Sequence, residues 1–208
     1  MLLEKIGNAV FEGDDDAVCE LVEKALAEGV KPLDVLEQGL VPGMDEVGRL
    51  FKTGEMFVPE VLMAANAMQE GNDILKPLMV GETREMKGKI VIGTVKGDLH
   101  DIGKKIVGMM LEGAGYEVID LGIDVTPERF LGALDETQAD CVGMSAMLTT
   151  TMTVMSEVAA AIKADPKYDH VKIMIGGAPV TADFGEKIGA KFSYDAASAV
   201  DLANELMA

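Results

Sequence analysis

Apolar residues in the first 80 or so positions recur at steps of three and four, which is the period of an amphipathic helix. Gly13 ends the first stripe, and the acidic run after it offers a cap for a second helix that stops at Gly29. Pro32 predicts the start of a third helix, and Pro42 a kink within it. A turn at 52–54 precedes the fourth. Four helices with short connections predict an antiparallel bundle.

A different pattern follows, in which short β-branched runs alternate with helical stretches. Strands are predicted at 90–95, 116–120, 140–145, 171–175 and 192–194, and helices at 102–112, 127–134, 152–162, 182–188 and 200–207. This alternation predicts a parallel sheet with helices on both faces, and right-handed crossovers make it doubly wound. The fold class is α/β: an N-terminal four-helix bundle plus a C-terminal Rossmann or flavodoxin-like five-stranded sheet. The predicted domains are 1–82 and 89–208, with a polar linker at 83–88.

Doubly wound sheets bind ligands outside the carboxyl ends of their strands. In this chain that rule brings together three loops, at 96–102, 146–151 and 176–181. We therefore expect the functional residues in these loops.

Charge and cysteine usage narrow the function classes. Acidic residues outnumber basic ones 36 to 18, so the formal charge of −18 disfavours nucleic acid and anionic membranes as partners, although solubility alone explains such a surface. Cys19 and Cys141 are far apart and have no metal-binding or redox spacing, which suits a reducing cytoplasm. The first eleven residues do not read as a signal peptide, and no apolar run is long enough to cross a bilayer.

The first loop carries the most distinctive chemistry. Asp98 precedes His100 by two residues and could accept a hydrogen bond from imidazole Nδ1–H, leaving Nε2 free to bind a metal. Gly97 and Gly103 flank the pair and permit unusual backbone dihedrals. Taken alone, this pattern favours a polar loop with a capping aspartate.

The other two loops are ambiguous by themselves. The hydroxyls at 145–151 could bind a ligand or cap the next helix. The small residues at 176–179 could make room for a large group or form a turn. The chain shows no nucleophile–base triad and no nucleotide fingerprint, and two histidines provide little for a multi-histidine site.

Together these motifs resemble those of a known family. Asp98-x-His100-x-x-Gly103, Ser145 and Gly176-Gly177 resemble the signature of cobalamin-binding domains in which a histidine replaces the cofactor's own base. The run 93–104 is similar to that of cobalamin-dependent methionine synthase. Segments 43–48 and 55–61 look like the family's four-helix cap. The resemblance covers essentially the whole chain, and it is strongest to the free-standing corrinoid proteins of methanol and methylamine methyltransferase systems.

The resemblance implies cobalamin or a related corrinoid as cofactor, with His100 Nε2 as the lower axial ligand of its cobalt. Asp98 would hold His100, and Thr151 would complete the relay, although the family residue there is serine. Met147 stands where relatives often have leucine. The expected cofactor contacts in the α/β domain are Gly97, Asp98, Leu99, His100, Asp101, Ile102, Gly103, Ser145, Met147, Thr149, Gly176, Gly177 and Ala178, and those in the cap are Phe57, Met44 and Val61.

The function implied is a cytoplasmic methyl carrier of one-carbon metabolism, cycling between methylcob(III)alamin and cob(I)alamin. Its partners would be a substrate-specific methyltransferase, an acceptor methyltransferase using tetrahydrofolate or a thiol, and a reductive activation protein. Such a chain is a corrinoid subunit without catalysis of its own. A corrinoid-dependent sensor, a mutase subunit and a flavodoxin-like domain without corrinoid are the alternatives. The methyl donor, the final acceptor, the cofactor's native lower base and the oligomeric state stay open.

Overall fold

The protein is described by a computed structural model that covers residues 2–79 and 86–207. The chain divides between residues 85 and 86 into a helical unit and an α/β unit, except that 113–115 cluster with the helical unit. Of the predicted linker at 83–88, residues 83–85 lie outside the described residues. No helix in the described part of the chain is long and apolar enough to cross a membrane.

The helical unit consists of α1 (Leu2–Glu12), α2 (Asp15–Ala27), α3 (Pro32–Val35), a π-helical turn (Leu36–Leu40), α4 (Val41–Thr53), α5 (Val58–Leu75) and a 3₁₀ turn (Lys76–Met79). Helix α2 packs on α5, and α1 packs on α2 and α4. Asp14 caps α2 by accepting a hydrogen bond from the Ala17 amide at 3.0 Å. The fully buried side chains include Ile6, Val10, Val18, Val22, Leu40, Val47, Val61 and Leu75.

The interruption expected at Pro42 takes the form of the π-helical turn immediately before it. Proline has no amide hydrogen to donate, so the regular series of helical hydrogen bonds is interrupted at Pro42. The wider π-helical turn accommodates this interruption. The predicted third helix is therefore three consecutive segments. A Cβ at Gly43 would overlap the carbonyl oxygen of Gly7, so only glycine lets α4 approach the α1 backbone this closely.

The α/β unit contains a parallel sheet of five strands in the order β2-β1-β3-β4-β5. The strands are β1 (Lys89–Thr94), β2 (Glu117–Asp120), β3 (Cys141–Ser145), β4 (Lys172–Gly176) and β5 (Lys191–Phe192). The helices are α6 (Ile102–Gly113), α7 (Pro127–Thr137), α8 (Met152–Ala164), a 3₁₀ turn (Pro166–Tyr168), α9 (Ala182–Ile188) and α10 (Ala196–Leu206). The predicted fold class is confirmed.

The prediction placed the start of the last helix at residue 200, which is wrong by about one turn. Asp195 accepts a hydrogen bond from the Ser198 amide at 2.7 Å, and the Ser198 side chain accepts one from the Asp195 amide at 3.0 Å. This reciprocal capping box starts α10 at Ala196. The alanines that follow carry too weak an apolar signal to predict that start.

Candidate functional site

The candidate site lies at the carboxyl edge of the sheet, where the strand order reverses beside β1. Thr94, Ser145 and Gly176 are successive partners across β1, β3 and β4, so the three strands end level with one another. The loops that follow them leave from one edge, as the sequence predicted. This is the topological switch point at which doubly wound folds bind ligands.

Asp98 joins the first loop to the second through both carboxylate oxygens. Oδ1 accepts a hydrogen bond from the His100 amide at 3.1 Å and lies 2.8 Å from His100 Nδ1. Oδ2 accepts from the amides of Met147 and Leu148 at 2.6 and 3.2 Å, and from Thr151 Oγ1 at 3.0 Å. The residue is 0% exposed, so this network replaces the water that an ionised carboxylate would otherwise bind.

The network determines the protonation state of the site. Burial raises the pKa of Asp98, but hydrogen bonds from the Met147 amide, the His100 ring and amide and the Thr151 hydroxyl outweigh it and lower that pKa to about 2. An ionised carboxylate only accepts hydrogen bonds, so a neutral His100 ring must carry its proton on Nδ1. The lone pair then lies on Nε2, and the side chain remains 58% exposed.

A further contact holds the His100 backbone. The Thr94 hydroxyl, which is fully buried at the end of β1, donates a hydrogen bond to the His100 carbonyl oxygen at 2.8 Å. Thr94 was not among the residues predicted from the sequence. The available signal was a hydroxyl residue at the end of an otherwise apolar buried strand, six residues before the candidate ligand.

The segment that follows β2 was also not predicted to be part of the site. Asp124 accepts a hydrogen bond from the Gly97 amide at 2.7 Å, and its own amide donates to the Asp98 carbonyl oxygen at 3.2 Å. The nearby Ile123 side chain is exposed. No motif marks these residues, because their role depends on β2 lying beside β1.

The third loop touches the second through its backbone. The Ala146 amide donates to the Gly176 carbonyl oxygen at 3.2 Å, and a Cβ at Gly177 would overlap the Ala146 carbonyl oxygen. Gly177 also has a φ of 124°, a backbone conformation that residues with a side chain rarely adopt. The sequence left open whether these glycines make room or form a turn. At Gly177, one reason for glycine is this close approach of two backbones.

The remaining predicted residues of the α/β unit fall into three groups. Leu99, Ile102 and Met147 are exposed apolar side chains around His100. Asp101 forms an ion pair with Lys105 at 2.6 Å, one turn along. Ser145 is half-buried, Thr149 and Ala178 are exposed, and a Cβ at Gly103 would meet open space. A contact of any of these residues with a cofactor remains a prediction.

The three predicted cap residues differ in exposure within the helical unit. Phe57, at the start of α5, is 66% exposed, whereas Met44 and Val61 are buried. Their predicted contacts with a cofactor also remain predictions.

His100 Nε2 is one candidate metal-binding atom of the site. Within residues 2–79 and 86–207, no group of three or more His, Cys, Asp or Glu side chains could hold a metal ion.

Comparison with known proteins gives matches over both units. Residues 88–201 match one family model described as a B12 binding domain, and residues 2–76 match a second model with the same description. The chain is 46% identical to dimethylamine corrinoid protein 1 of Methanosarcina acetivorans, covering 100% of this chain and 98% of that protein. It is 41% identical to trimethylamine corrinoid protein 1 of the same organism, covering 96% of this chain and 93% of that protein. A chain in the crystal structure of the methanol:cobalamin methyltransferase complex of Methanosarcina barkeri superposes with a TM-score of 0.91 at 35% identity, covering 99% of this chain and 79% of that one.

Proposed function

The chain belongs to the B12-binding corrinoid proteins of methyltransferase systems, and on that premise we propose that it carries a methyl group on a corrinoid held by His100. The observation that carries the proposal is the pairing of His100 Nδ1 with Asp98 at 2.8 Å, which leaves Nε2 for a metal.

The donor set fits a corrinoid. One imidazole is available, and the described residues offer no cluster that could complete a metal site. A corrinoid would bring most ligands of its cobalt with it, so His100 alone could supply the ligand from the protein. The exposed apolar side chains of Leu99, Ile102 and Met147 suit the edge of a large macrocycle, since covering them removes apolar area from water.

When bound, the corrinoid supplies a cobalt centre that accepts a methyl group in its reduced state and gives it up to an acceptor. The residues of this chain hold and tune that centre. His100 offers Nε2, and Asp98 keeps the Nδ1 proton in place and increases the basicity of the ring. Thr151 and the amides of Met147 and Leu148 keep Asp98 ionised. These residues make the histidine a stronger ligand; they do not themselves break or form the bond to the methyl group.

We further propose three kinds of partner protein. One is a methyltransferase that loads the methyl group, supported by the similarity to a chain from a methyltransferase complex. The others are an acceptor methyltransferase and a protein that reductively reactivates the cofactor. The two relatives reported above are named for dimethylamine and trimethylamine, and the similar structure is a methanol system, which supports small methylated amines or methanol as the donor class.

Loading with hydroxocobalamin tests cofactor binding through His100. The chain has two histidines, so His170→Ala, which removes an exposed ring outside the site, is a matched control for His100→Ala. We expect wild type and H170A to bind, and electron paramagnetic resonance of the cob(II)alamin forms to show a three-line splitting by an imidazole nitrogen that becomes two-line on histidine-specific ¹⁵N replacement. H100A should lack that coupling. Equal coupling in H100A would show that another group is the ligand.

The carrier role is tested with the reduced, corrinoid-loaded protein. It is mixed with a methyltransferase encoded beside it and with methanol, monomethylamine, dimethylamine or trimethylamine in turn. Methylation by one donor, detected in the absorption spectrum, supports the role and names the donor. If wild type binds corrinoid but no donor methylates it, the sensor alternative is preferred.

A further inference from the structure

The segment 120–125, which begins at the last residue of β2, is hydrogen-bonded to the end of β1. The Thr94 amide donates to the Gly122 carbonyl oxygen at 3.0 Å, and the Val125 amide donates back to the Thr94 carbonyl oxygen at 2.9 Å. The Lys96 amide donates to the Val125 carbonyl oxygen at 2.9 Å. Segment 120–125 therefore extends the β1–β2 pairing up to the first residues of the His100 loop.

Asp124 holds the N-terminal side of that loop. Its carboxylate accepts from the Gly97 amide at 2.7 Å, while its amide donates to the Asp98 carbonyl oxygen at 3.2 Å. Asp124 adopts a left-handed conformation with φ of 55°, which is uncommon for a residue other than glycine and least costly for Asp and Asn. The conformation allows the side chain and the amide of one residue to engage consecutive residues of the loop.

Asp120 holds the C-terminal side. It forms an ion pair with Lys104, whose side chain is only 3% exposed in the first turn of α6. Asp120 Oδ1 also accepts from the Gly122 amide at 2.8 Å, so the carboxylate is fixed by its own segment. A buried ammonium without its partner is strongly unfavourable, so Lys104 ties the start of α6 to the end of β2.

We propose that Asp120 and Asp124 form a clamp that positions His100 for metal binding by holding its loop at both ends. The two residues are positioning residues, since both act through Gly97, Asp98 and Lys104. The inference deepens the proposed function and rests on it. It adds a fourth structural segment to the three loops that bear the signature residues.

The need for a clamp follows from the loop's own composition. Between Gly97 and Lys104 the chain exposes Leu99 and Ile102, whose side chains cannot make hydrogen bonds. A metal ligand must be held to within about half an ångström of its bonding position. Contacts from outside the loop, at Gly97 and Lys104, supply part of that restraint, and the Thr94 hydroxyl bonded to the His100 carbonyl oxygen supplies another part.

Asp124 permits a clean test, because two substitutions separate its carboxylate from its backbone conformation. Asp124→Gly keeps the left-handed conformation and removes the acceptor. Asp124→Asn keeps the conformation and an acceptor oxygen. Gln138→Gly is a control, since Gln138 has nearly the same φ of 53° at the end of α7, outside the site.

Two readouts are measured for each variant: affinity for hydroxocobalamin together with the imidazole coupling of the cob(II)alamin form, and amide hydrogen exchange of residues 97–101 in the apo-protein. For D124G we expect about tenfold weaker binding, the lower end of the range for residues that support a metal ligand, with weaker imidazole coupling and faster exchange. D124N should restore both towards wild type, and Q138G should change neither. D124G that matches wild type in both readouts would overturn the proposal, as would an equal loss in Q138G.

The second arm is the double variant Lys104→Met with Asp120→Asn, which removes the ion pair without leaving a buried charge. It should fold and yet bind hydroxocobalamin more weakly, with a smaller imidazole coupling. Wild-type binding and coupling would overturn the Asp120 half of the clamp. Amide exchange is measured without cofactor, so it tests the clamp even if wild type fails to bind corrinoid. Failure of wild type to bind corrinoid would count against the proposed function and not against the clamp.

Discussion

The Thr151 hydroxyl donates a hydrogen bond to Asp98 Oδ2 at 3.0 Å, across 53 residues of chain and between two loops of the site. Thr151 Oγ1 also lies 2.8 Å from the Leu148 carbonyl oxygen. The one hydroxyl proton is therefore shared between an acceptor in the first loop, Asp98, and an acceptor in the second loop, Leu148. The arrangement helps to keep a buried carboxylate ionised, and the relay role expected for Thr151 remains a prediction.

Thr151→Val removes this donor while keeping the side-chain volume. We expect a fall of about 2 kcal/mol in the free energy of unfolding, since the bond is made to a buried charge. Urea denaturation at pH 7 measures it. Thr151→Ser retains the hydroxyl and should stay closer to wild type. A valine variant as stable as wild type would contradict the contribution assigned to this hydrogen bond, and any loss in the serine variant measures the packing of the methyl group instead.

Stability at low pH should depend on Asp98. Its pKa is about 2 in the folded protein, against an ordinary value of 3.8. A lowered folded-state pKa stabilises the protein above the ordinary value, and that contribution is lost as the pH falls from about 4 towards 2. The shift corresponds to about 2 kcal/mol.

Asp98→Asn cannot titrate, so it provides the comparison. At pH 6 we expect D98N to be less stable than wild type, because the side-chain NH₂ of asparagine is itself a donor and cannot accept the hydrogen bonds that the carboxylate accepts. The difference should shrink between pH 4 and the acid limit of measurement. A difference that is constant with pH would show that Asp98 is not the titrating group.

Gly177→Ala should be strongly destabilising. The added Cβ would meet the Ala146 carbonyl oxygen, and φ at 124° disfavours any side chain. We expect a loss of more than about 3 kcal/mol in chemical denaturation, from steric overlap and backbone strain together. Gly176→Ala is the matched neighbour, since its Cβ would lie 3.2 Å from the Ser193 carbonyl oxygen, and it should cost clearly less. Equal effects at both positions would contradict the close approach at Gly177.

Thr94→Val tests the hydrogen bond to the His100 carbonyl oxygen. The substitution keeps the volume of a fully buried side chain and leaves the carbonyl without this donor. We expect about 1 to 2 kcal/mol of lost stability and weaker hydroxocobalamin binding, because the His100 backbone is less well held. Thr94→Ser should recover the binding. Unchanged affinity in T94V would mean that the bond stabilises the fold without positioning the ligand.

Both architectures could be predicted from the sequence, because helices and strands impose periods of 3.6 and 2 on apolar residues and those periods are local. The Asp98–His100 pair could also be predicted from the sequence, since two residues in one short loop can contact each other regardless of the surrounding structure. The rule that doubly wound sheets bind ligands outside the carboxyl ends of their strands then brought the three loops together. Errors at the ends of elements, such as the start of α10, arose where a capping box outweighed a weak apolar pattern.

Only the tertiary structure decided what holds that pair in place. The donors to Asp98 Oδ2 include the backbone amides of Met147 and Leu148. Almost every residue type has such an amide, so the sequence does not indicate which amides donate. They reach Asp98 because Thr94 and Ser145 are partners in adjacent strands. Asp124 reaches Gly97 across 27 residues for the same reason, since β2 lies on the other side of β1. The sequence by itself predicted the candidate ligand His100 and its immediate partner Asp98. Strand order and register, which depend on the packing of the whole sheet, determined the rest of the site.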